Sequence, residues 1–392
     1  MTLIDAPTMH PDTTSDPSTA PSASLDWVAL ARDVGTQLRA GVSERDRSGE
    51  ISPAVFDQLR ATGLTAALVP TEHGGGGIGH AGMGAILREL GRHDAPTAVT
   101  LAMHSHLLAA QVWRHRRGMD ASALFRKVVD DRAILATSGA NDWVGSSGTV
   151  RRVDGGYRVS GRKGPVSGCE VANIVITSFR WADGPDGAQV VHCSVPRSAE
   201  GVSIDHTWDT LGMRATGSHT VVFDDVFVPD AAVPLVRPAD VWHPVWNTVI
   251  GCAMPLIMAA YLGIADAAVE IATAAAAGRT DGPTTQLMGE LCNAHLTAGD
   301  VVDAMFRDTD DLTFANVDTL TARVLSRKTV ATDAIIETVR IAAEIAGGQG
   351  FLREAAMAQL QRDVLGTRFH PLPTAKQLHF CGRVALGLTP VG

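Results

Sequence analysis

Apolar residues recur three and four positions apart in DWVALARDVGTQL (26–38), AVFDQLRATGL (54–64) and MGAILREL (83–90), the spacing that lines one face of a helix. The pattern predicts a helical unit over 26–132. Beyond it the texture changes to alternating or short apolar runs, TVRRVDGGYRVSG (149–161), ANIVITSF (172–179), AQVVHCSVP (188–196) and TVVFDDVFV (220–228), punctuated by Gly, Pro and Asp. These predict strands of a sheet unit over 133–238, with DGG as a hairpin turn. Helical spacing returns in IMAAYLGIADAAVEIATAAAAG (257–278) and TLTARVLSRKTVATDAIIETVRIAAEIAG (319–347), giving a second helical unit over 239–392. The order helices, strands, helices places the chain in the α+β class, with a crevice expected where the sheet unit meets the helices.

Residues 1–25 are rich in Pro, Ser, Thr and Asp without an apolar run; a disordered tail is expected there, and neither a secretory signal nor a transit peptide. The uncharged stretch 249–265 contains Gly251 and Pro255, lacks basic flanks and runs directly into Asp266 and Glu270. It reads as a buried bundle helix rather than a membrane span. With 392 residues, 45% of them apolar, the chain can bury a large core. A net charge of −9 gives no positive field for nucleic acid or anionic lipid. Five widely spaced cysteines without a CxxC pair suggest neither a disulfide framework nor a thiolate metal site and suit a reducing cytoplasm. His104 and His106 lie two apart, on different faces of a helix, so no shared metal is expected.

Several segments, in order, resemble the acyl-CoA dehydrogenase superfamily across nearly the whole chain after the tail: VPTEHGGGGIG (69–79), LATSGAND (135–142), GRKGPVSGC (161–169), WDTLGMRATGSHTVVFDDVFVP (208–229), AEIAGGQGF (343–351) and QRDVLGTRF (361–369). The resemblance implies an N-terminal helical domain, a central β-barrel-like domain, a C-terminal four-helix bundle, a flavin held between subunits, and a homodimer or homotetramer. Thr137, Ser138 and Ser167 offer short hydroxyls to the edge of an isoalloxazine ring, and Arg214 is a candidate partner for a flavin phosphate or reduced ring. Arg279, Gly347 and Gly348 fall where family members hold the pyrophosphate of FAD.

The sequence departs from the dehydrogenases where their chemistry lies. Removal of an α-proton from a thioester requires a carboxylate, yet counting from Arg362 and Asp363 the family's Tyr-Glu pair falls on His370 and Pro371. The other known location of the base reads VWNTVIGCAMPL (245–256), with no acid. The pyrophosphate segment lacks its Phe-Gly, and Glu344 replaces a Gln. FMN is therefore favoured, with FAD the other possibility. Arg-Asp followed by His370 resembles the reduced-flavin monooxygenases of the superfamily, which imply a separate flavin reductase, O2 and a small-molecule substrate. His370 is the candidate acid or base, and His104 the histidine of its helix expected to face the pocket. Two other readings stand beside this one: an acyl-thioester dehydrogenase with a replaced base, and a non-catalytic flavin-fold paralogue.

Overall fold

The computed structural model describes residues 25–138 and 142–392; the expected tail, Leu25 apart, lies outside the described residues. The first unit contains α1 (Trp27–Arg39), α2 (Val42–Ser48), α3 (Pro53–Ala61), α4 (His80–His93), α5 (Ala95–His115) and α6 (Ser122–Val129). Asp26 caps α1 by accepting from the Val28 and Ala29 N–H groups, and Asp94 caps α5 by accepting from the Thr97 N–H, with Pro96 in its first turn. α5 is buried on every side from Ala95 to Ala109. It is the central helix of the unit and carries no polar face.

The middle unit is two four-stranded sheets. One has the order β1-β4-β5-β8, from β1 (Leu135–Thr137), β4 (Ile174–Gly184), β5 (Gly187–Pro196) and β8 (Leu235–Pro238). The other has the order β2-β3-β7-β6, from β2 (Thr149–Val153), β3 (Gly156–Lys163), β7 (Thr220–Pro229) and β6 (Val202–Asp205). Among the described strands only β1 and β4 pair in parallel. The expected hairpin joins β2 to β3, with Gly155 at a φ of 73° that side chains rarely adopt. Phe179 and Phe223, both buried, meet edge to face between the sheets at 5.2 Å, so the unit is a sandwich rather than one closed cylinder.

A buried ion pair locks this sandwich to the loop leading into β2. Lys163 Nζ, at the end of β3, reaches Asp142 at 2.6 Å and also donates to Ser147 O at 2.7 Å and Ser147 Oγ at 2.9 Å. Lys163 is only 1% exposed, so its removal strands a buried carboxylate. Lys163→Met is expected to lower unfolding stability by about 3–5 kcal/mol, read as a fall in the urea midpoint with an unchanged slope.

The last unit comprises α7 (Val245–Ala276), α8 (Gly282–Thr309), α9 (Asp318–Ala346), a short α10 (Ala356–Asp363) and α11 (Thr374–Ala385). α9 packs against α7, α8 and α11. α7 is apolar and long enough to cross a membrane by composition, and nearly all of that stretch is buried inside the protein, against α4, α5 and α9. α4 and α7 touch backbone to backbone. A Cβ on Gly91 would stand 2.2 Å from Ala260 O, and one on Gly263 2.2 Å from Arg88 O. Beside this crossing Arg88 forks onto Asp266 at 2.6 and 2.8 Å, and His295 reaches the same carboxylate at 2.7 Å. α4, α7 and α8 are thereby clamped together, α5 packs against α4 and α7, and a cavity opens between α5, α7 and the sandwich.

Candidate active site

The cavity measures about 1820 Å³ and is walled by α5, α7, both sheets and the segment 362–371. Pockets for a single ligand run to roughly 1,000 Å³, so this one has room for two bound molecules.

His370 lies on its wall, at the end of the turn that follows α10. Its Nε2 is 3.0 Å from the Tyr261 hydroxyl of α7. Burial pushes the imidazole down to about 3, helped by the charge of Lys328 and then by His106. Burial likewise raises the Tyr261 phenol far above its ordinary range, with Asp363 adding to the effect. Both groups are neutral near pH 7. Tyr261 has no other acceptor among the described residues, so it donates to Nε2, and the imidazole keeps its proton on Nδ1.

His104 does not face the cavity. Its Nε2 is 2.7 Å from Thr65 O, and its Nδ1 accepts the Leu135 N–H at 3.0 Å. It pins β1 to α5 with both ring nitrogens used. The histidine on the wall is His106, whose Nδ1 lies 3.2 Å from Ala102 O one turn back. Nδ1 therefore carries the proton, and the Nε2 lone pair remains open. Burial pushes His106 down to about 4. The wall thus bears one imidazole set as a donor, His370, and one set as an acceptor, His106.

Thr137, Ser138 and Ser167 all line the cavity. Ser138 Oγ is 2.6 Å from Thr177 Oγ1. Ser167 heads a directed chain: Thr216 Oγ1 donates to Met213 O at 2.9 Å, so Ser218, 2.6 Å away, donates to Thr216, and Ser167, 2.8 Å further, donates to Ser218. Each hydroxyl has one proton. Ser167 consequently presents only lone pairs to the cavity. Trp143, also on the wall, packs against Trp246 at 4.6 Å and stacks parallel to Trp242 at 6.0 Å.

The 212–218 turn is held from behind. Asp363, fully buried, accepts the Met213 N–H and a 3.2 Å bond from Gln359 Nε2. Burial outweighs these bonds and raises its carboxyl to about 7. A Cβ on Gly212 would lie 2.3 Å from Arg362 O, so only glycine lets the two segments close. Arg214, expected beside the flavin, is turned away from the cavity: Nε donates to Asp46 O at 2.8 Å and Nη1 to Thr210 O at 3.0 Å, tying the turn to α2. Arg279 is 3.4 Å from Ile345 O, and it lies with Gly347 and Gly348 on an exposed surface that is no part of the cavity wall. Glu344, in the same region, is paired with Arg340 at 2.6 Å.

Among the described residues no glutamate lines the cavity, and its carboxylates are Asp120 and Asp131, both exposed and flanking α6. Two clusters with metal-ligand composition lie elsewhere, Glu72–His73–His115 and Glu170–His206–His219. In the second, His219 Nδ1 accepts the Trp208 N–H at 3.1 Å. Its proton is then on Nε2, 3.5 Å from Glu170 Oε2, an arrangement for hydrogen bonding rather than for ligating a cation.

Helices, sandwich, helices, with a hydroxyl-lined cavity at their junction, are accompanied by matches to two domains of the acyl-CoA dehydrogenase family. Residues 29–116 match the acyl-CoA dehydrogenase N-terminal domain and residues 137–226 its middle domain. The chain is 28% identical over 370 residues to the amino sugar nitrososynthase DnmZ of Streptomyces peucetius, covering 89% of this chain and 90% of that protein. It is 27% identical over 223 residues to the dibenzothiophene monooxygenase of Rhodococcus qingshengii, covering 53% and 51%. Among solved structures, KijD3 in complex with FMN and dTDP-3-amino-2,3,6-trideoxy-4-keto-3-methyl-D-glucose superposes with a TM-score of 0.83 at 26% identity, over 94% of this chain and 95% of that one.

Proposed function

We propose that this protein is a monooxygenase that uses reduced FMN and O2 on a small organic substrate, with a separate flavin reductase as electron source. The observation that carries the reading is a neutral imidazole pair, His370 and His106, in a large cavity whose wall has no glutamate. That pair offers a substrate one hydrogen-bond donor and one acceptor that stay neutral near pH 7, and no group there suits removal of a thioester α-proton. The relatives support it, since a dibenzothiophene monooxygenase and an amino sugar nitrososynthase are both among them.

The cavity fits a flavin. Thr137, Ser138 and Ser167 would hold the edge of its ring, and the lone pairs of Ser167 suit an N–H such as the reduced ring presents. When bound, FMN supplies the two electrons and the site at which O2 is activated. The protein's own part is to bind and to orient: His370 Nδ1–H donates a hydrogen bond toward the cavity, His106 Nε2 accepts one from the substrate, and the Trp143–Trp246 wall excludes water. Arg279, Gly347 and Gly348 serve, in this reading, a second copy of the chain in a homodimer or homotetramer. The free cysteines fit a cytoplasmic enzyme.

The test supplies the protein with FMN, NADH, a flavin reductase and isotope-labelled O2, with dibenzothiophene and an amino sugar as substrates. Label in the product, dependent on FMN, is expected. A protein that instead binds FAD and passes electrons from an acyl-CoA to an acceptor dye without O2 is a dehydrogenase, and the proposal fails.

A further inference from the structure

Two further imidazoles stand on the cavity wall, His192 of β5 and His243 just before α7. Strand register places the first. Thr137, Ile176 and Ser194 lie in one row across β1, β4 and β5, and Ser178, His192 and Leu235 in the next row across β4, β5 and β8. Alternate residues of a strand share a face, and all six line the cavity, so this face of the sheet is its floor. His192 therefore stands two strand residues, about 7 Å, along the floor from the row of Thr137, the hydroxyl assigned to the flavin edge. The His192 ring packs against Trp246 at 5.6 Å, and Trp246 against Trp143 at 4.6 Å. The three rings form one continuous stretch of the wall.

What lies behind His192 sets its chemistry. Arg237 of β8, only 1% exposed, donates from Nε to His192 Nε2 at 2.9 Å. Its terminal nitrogens donate to Val144 O, Pro238 O and Trp143 O at 2.9, 3.1 and 3.0 Å. A guanidinium can only donate, so His192 Nε2 must accept, and the single imidazole proton sits on Nδ1. Burial, then the Arg237 charge, pushes His192 down to about 3, which keeps the ring neutral near pH 7. Its Nδ1–H has no acceptor among the described residues and is not enclosed by protein, so it is the atom His192 presents to the cavity. Burial lowers Arg237 only to about 10, and it stays charged. The acids whose charge it feels, Asp240 and Asp142, are paired with Arg180 and Lys163 at 2.6 Å each. A buried charge without its own counter-ion is costly, and of the Arg237 partners only His192 offers a proton to the cavity. His243 adds a second donor: its Nδ1 accepts the Val245 N–H at 3.2 Å, leaving the proton on Nε2.

We propose that the Arg237–His192 pair is a charge-backed hydrogen-bond donor for an anionic oxygen, a carboxylate or a phosphate, on a ligand whose ring lies against the Trp143–Trp246 wall. His192 supplies the N–H, Arg237 supplies the charge and fixes the tautomer, and His243 offers a second N–H. The oxygen belongs either to the substrate or to the phosphate of FMN. The assignment rests on the cavity being the ligand site of the proposed reaction.

Calorimetric titration of the full chain, without turnover, compares 2-naphthoate with 2-naphthylmethanol and FMN with riboflavin. Two substitutions keep an acceptor for the buried Arg237. His192→Gln also keeps an N–H for the cavity, whereas His192→Glu has no donor and cancels the charge. In the wild type the anionic member of a pair is expected to bind about 10- to 100-fold more tightly, the range of a hydrogen bond to a charged group. H192Q should retain most of that preference and H192E should abolish it. Loss of the naphthoate preference assigns the oxyanion to the substrate, and loss of the FMN preference assigns it to the cofactor's phosphate. An H192E protein that keeps every preference of the wild type overturns the proposal, as does a wild type with none, or an equal loss in H192Q and H192E. Nitrogen NMR of the wild type is a second readout: a His192 proton found on Nε2 rather than Nδ1 overturns the arrangement whatever the variants do. Anion preference lost in H192E, in a protein that oxygenates nothing, sinks the proposed reaction and leaves the donor standing.

Discussion

His370→Ala is expected to lower substrate oxygenation by about 10²- to 10³-fold, the usual contribution of one positioned hydrogen-bond donor, while FMN still binds. The imidazole stands on the cavity wall, neutral, with its Nε2 taken by Tyr261 and its Nδ1–H free for a partner in the cavity. Alanine removes that donor and strands the Tyr261 hydroxyl, which is 1% exposed, at a cost of about 1–3 kcal/mol in stability. A thermal melt separates that loss from the catalytic one. Tyr261→Phe is the companion variant: it keeps the imidazole but releases the bond that fixes its tautomer, and a loss of roughly tenfold is expected, within the worth of one hydrogen bond. Burial holds the His370 imidazole near 3, so His370 causes no titration of the wild-type rate between about pH 5 and 8. An H370A enzyme that oxygenates at the wild-type rate removes His370 from the mechanism.

How much of this was legible in the sequence differs from residue to residue. The switch from helical spacing to alternation and back marks the three units, because each buries one face against the others. His370 was reachable by counting from Arg362 and Asp363, and Asp363 proves to be the buried anchor of the 212–218 turn. The choice between His104 and His106 was not reachable. α5 is buried all round, so it has no polar face to orient it, and two residues set about 200° apart differ only in what other elements bring to them. The Leu135 N–H and the Thr65 carbonyl, supplied from β1 and from the turn after α3, claim His104. Arg214 failed for the same reason: its partner is the backbone carbonyl of Asp46, which no side-chain pattern announces. Tyr261 sits in a uniformly apolar helix and belongs to no motif. Helical spacing from the wall residues Met254 and Ile257 of α7 is the signal that places it there. The hydroxyl chain behind Ser167 was visible as composition, in Thr216 and Ser218, but its direction depends on the Met213 carbonyl that ends it.

Acid should unfold this protein well before its carboxylates are titrated. His80, His104 and His106 are buried and neutral, and burial pushes each from the ordinary value of 6.5 to about 4. Their folded values lie below the unfolded one, so between about pH 4 and 6.5 the unfolded chain binds more protons. The stability they contribute is complete above pH 6.5 and is lost as the pH falls toward 4. Each extra proton is worth about 1.4 kcal/mol per pH unit. His192 and His370, pushed to about 3, join these three, and Asp363, raised to about 7, keeps one proton in the folded state. A net of about four gives a slope of roughly 5–6 kcal/mol per unit within the window. A total stability of roughly 5–15 kcal/mol is consumed by about one to three such units. The bonds these histidines make set what fails first. His80 reaches Thr309 Oγ1 at 3.0 Å and Cys252 O at 2.9 Å, joining α4 to α7 and the end of α8, and His104 joins α5 to β1. Protonation of His80 requires opening the α4–α7 contact, and protonation of His104 the α5–β1 contact. Urea unfolding followed by circular dichroism at a series of pH values measures the slope directly, and His80→Gln should remove about one proton from it. A midpoint that stays constant from about pH 7 to 4.5 contradicts the account, because buried neutral imidazoles cannot be retained against that proton concentration without a compensating loss of stability.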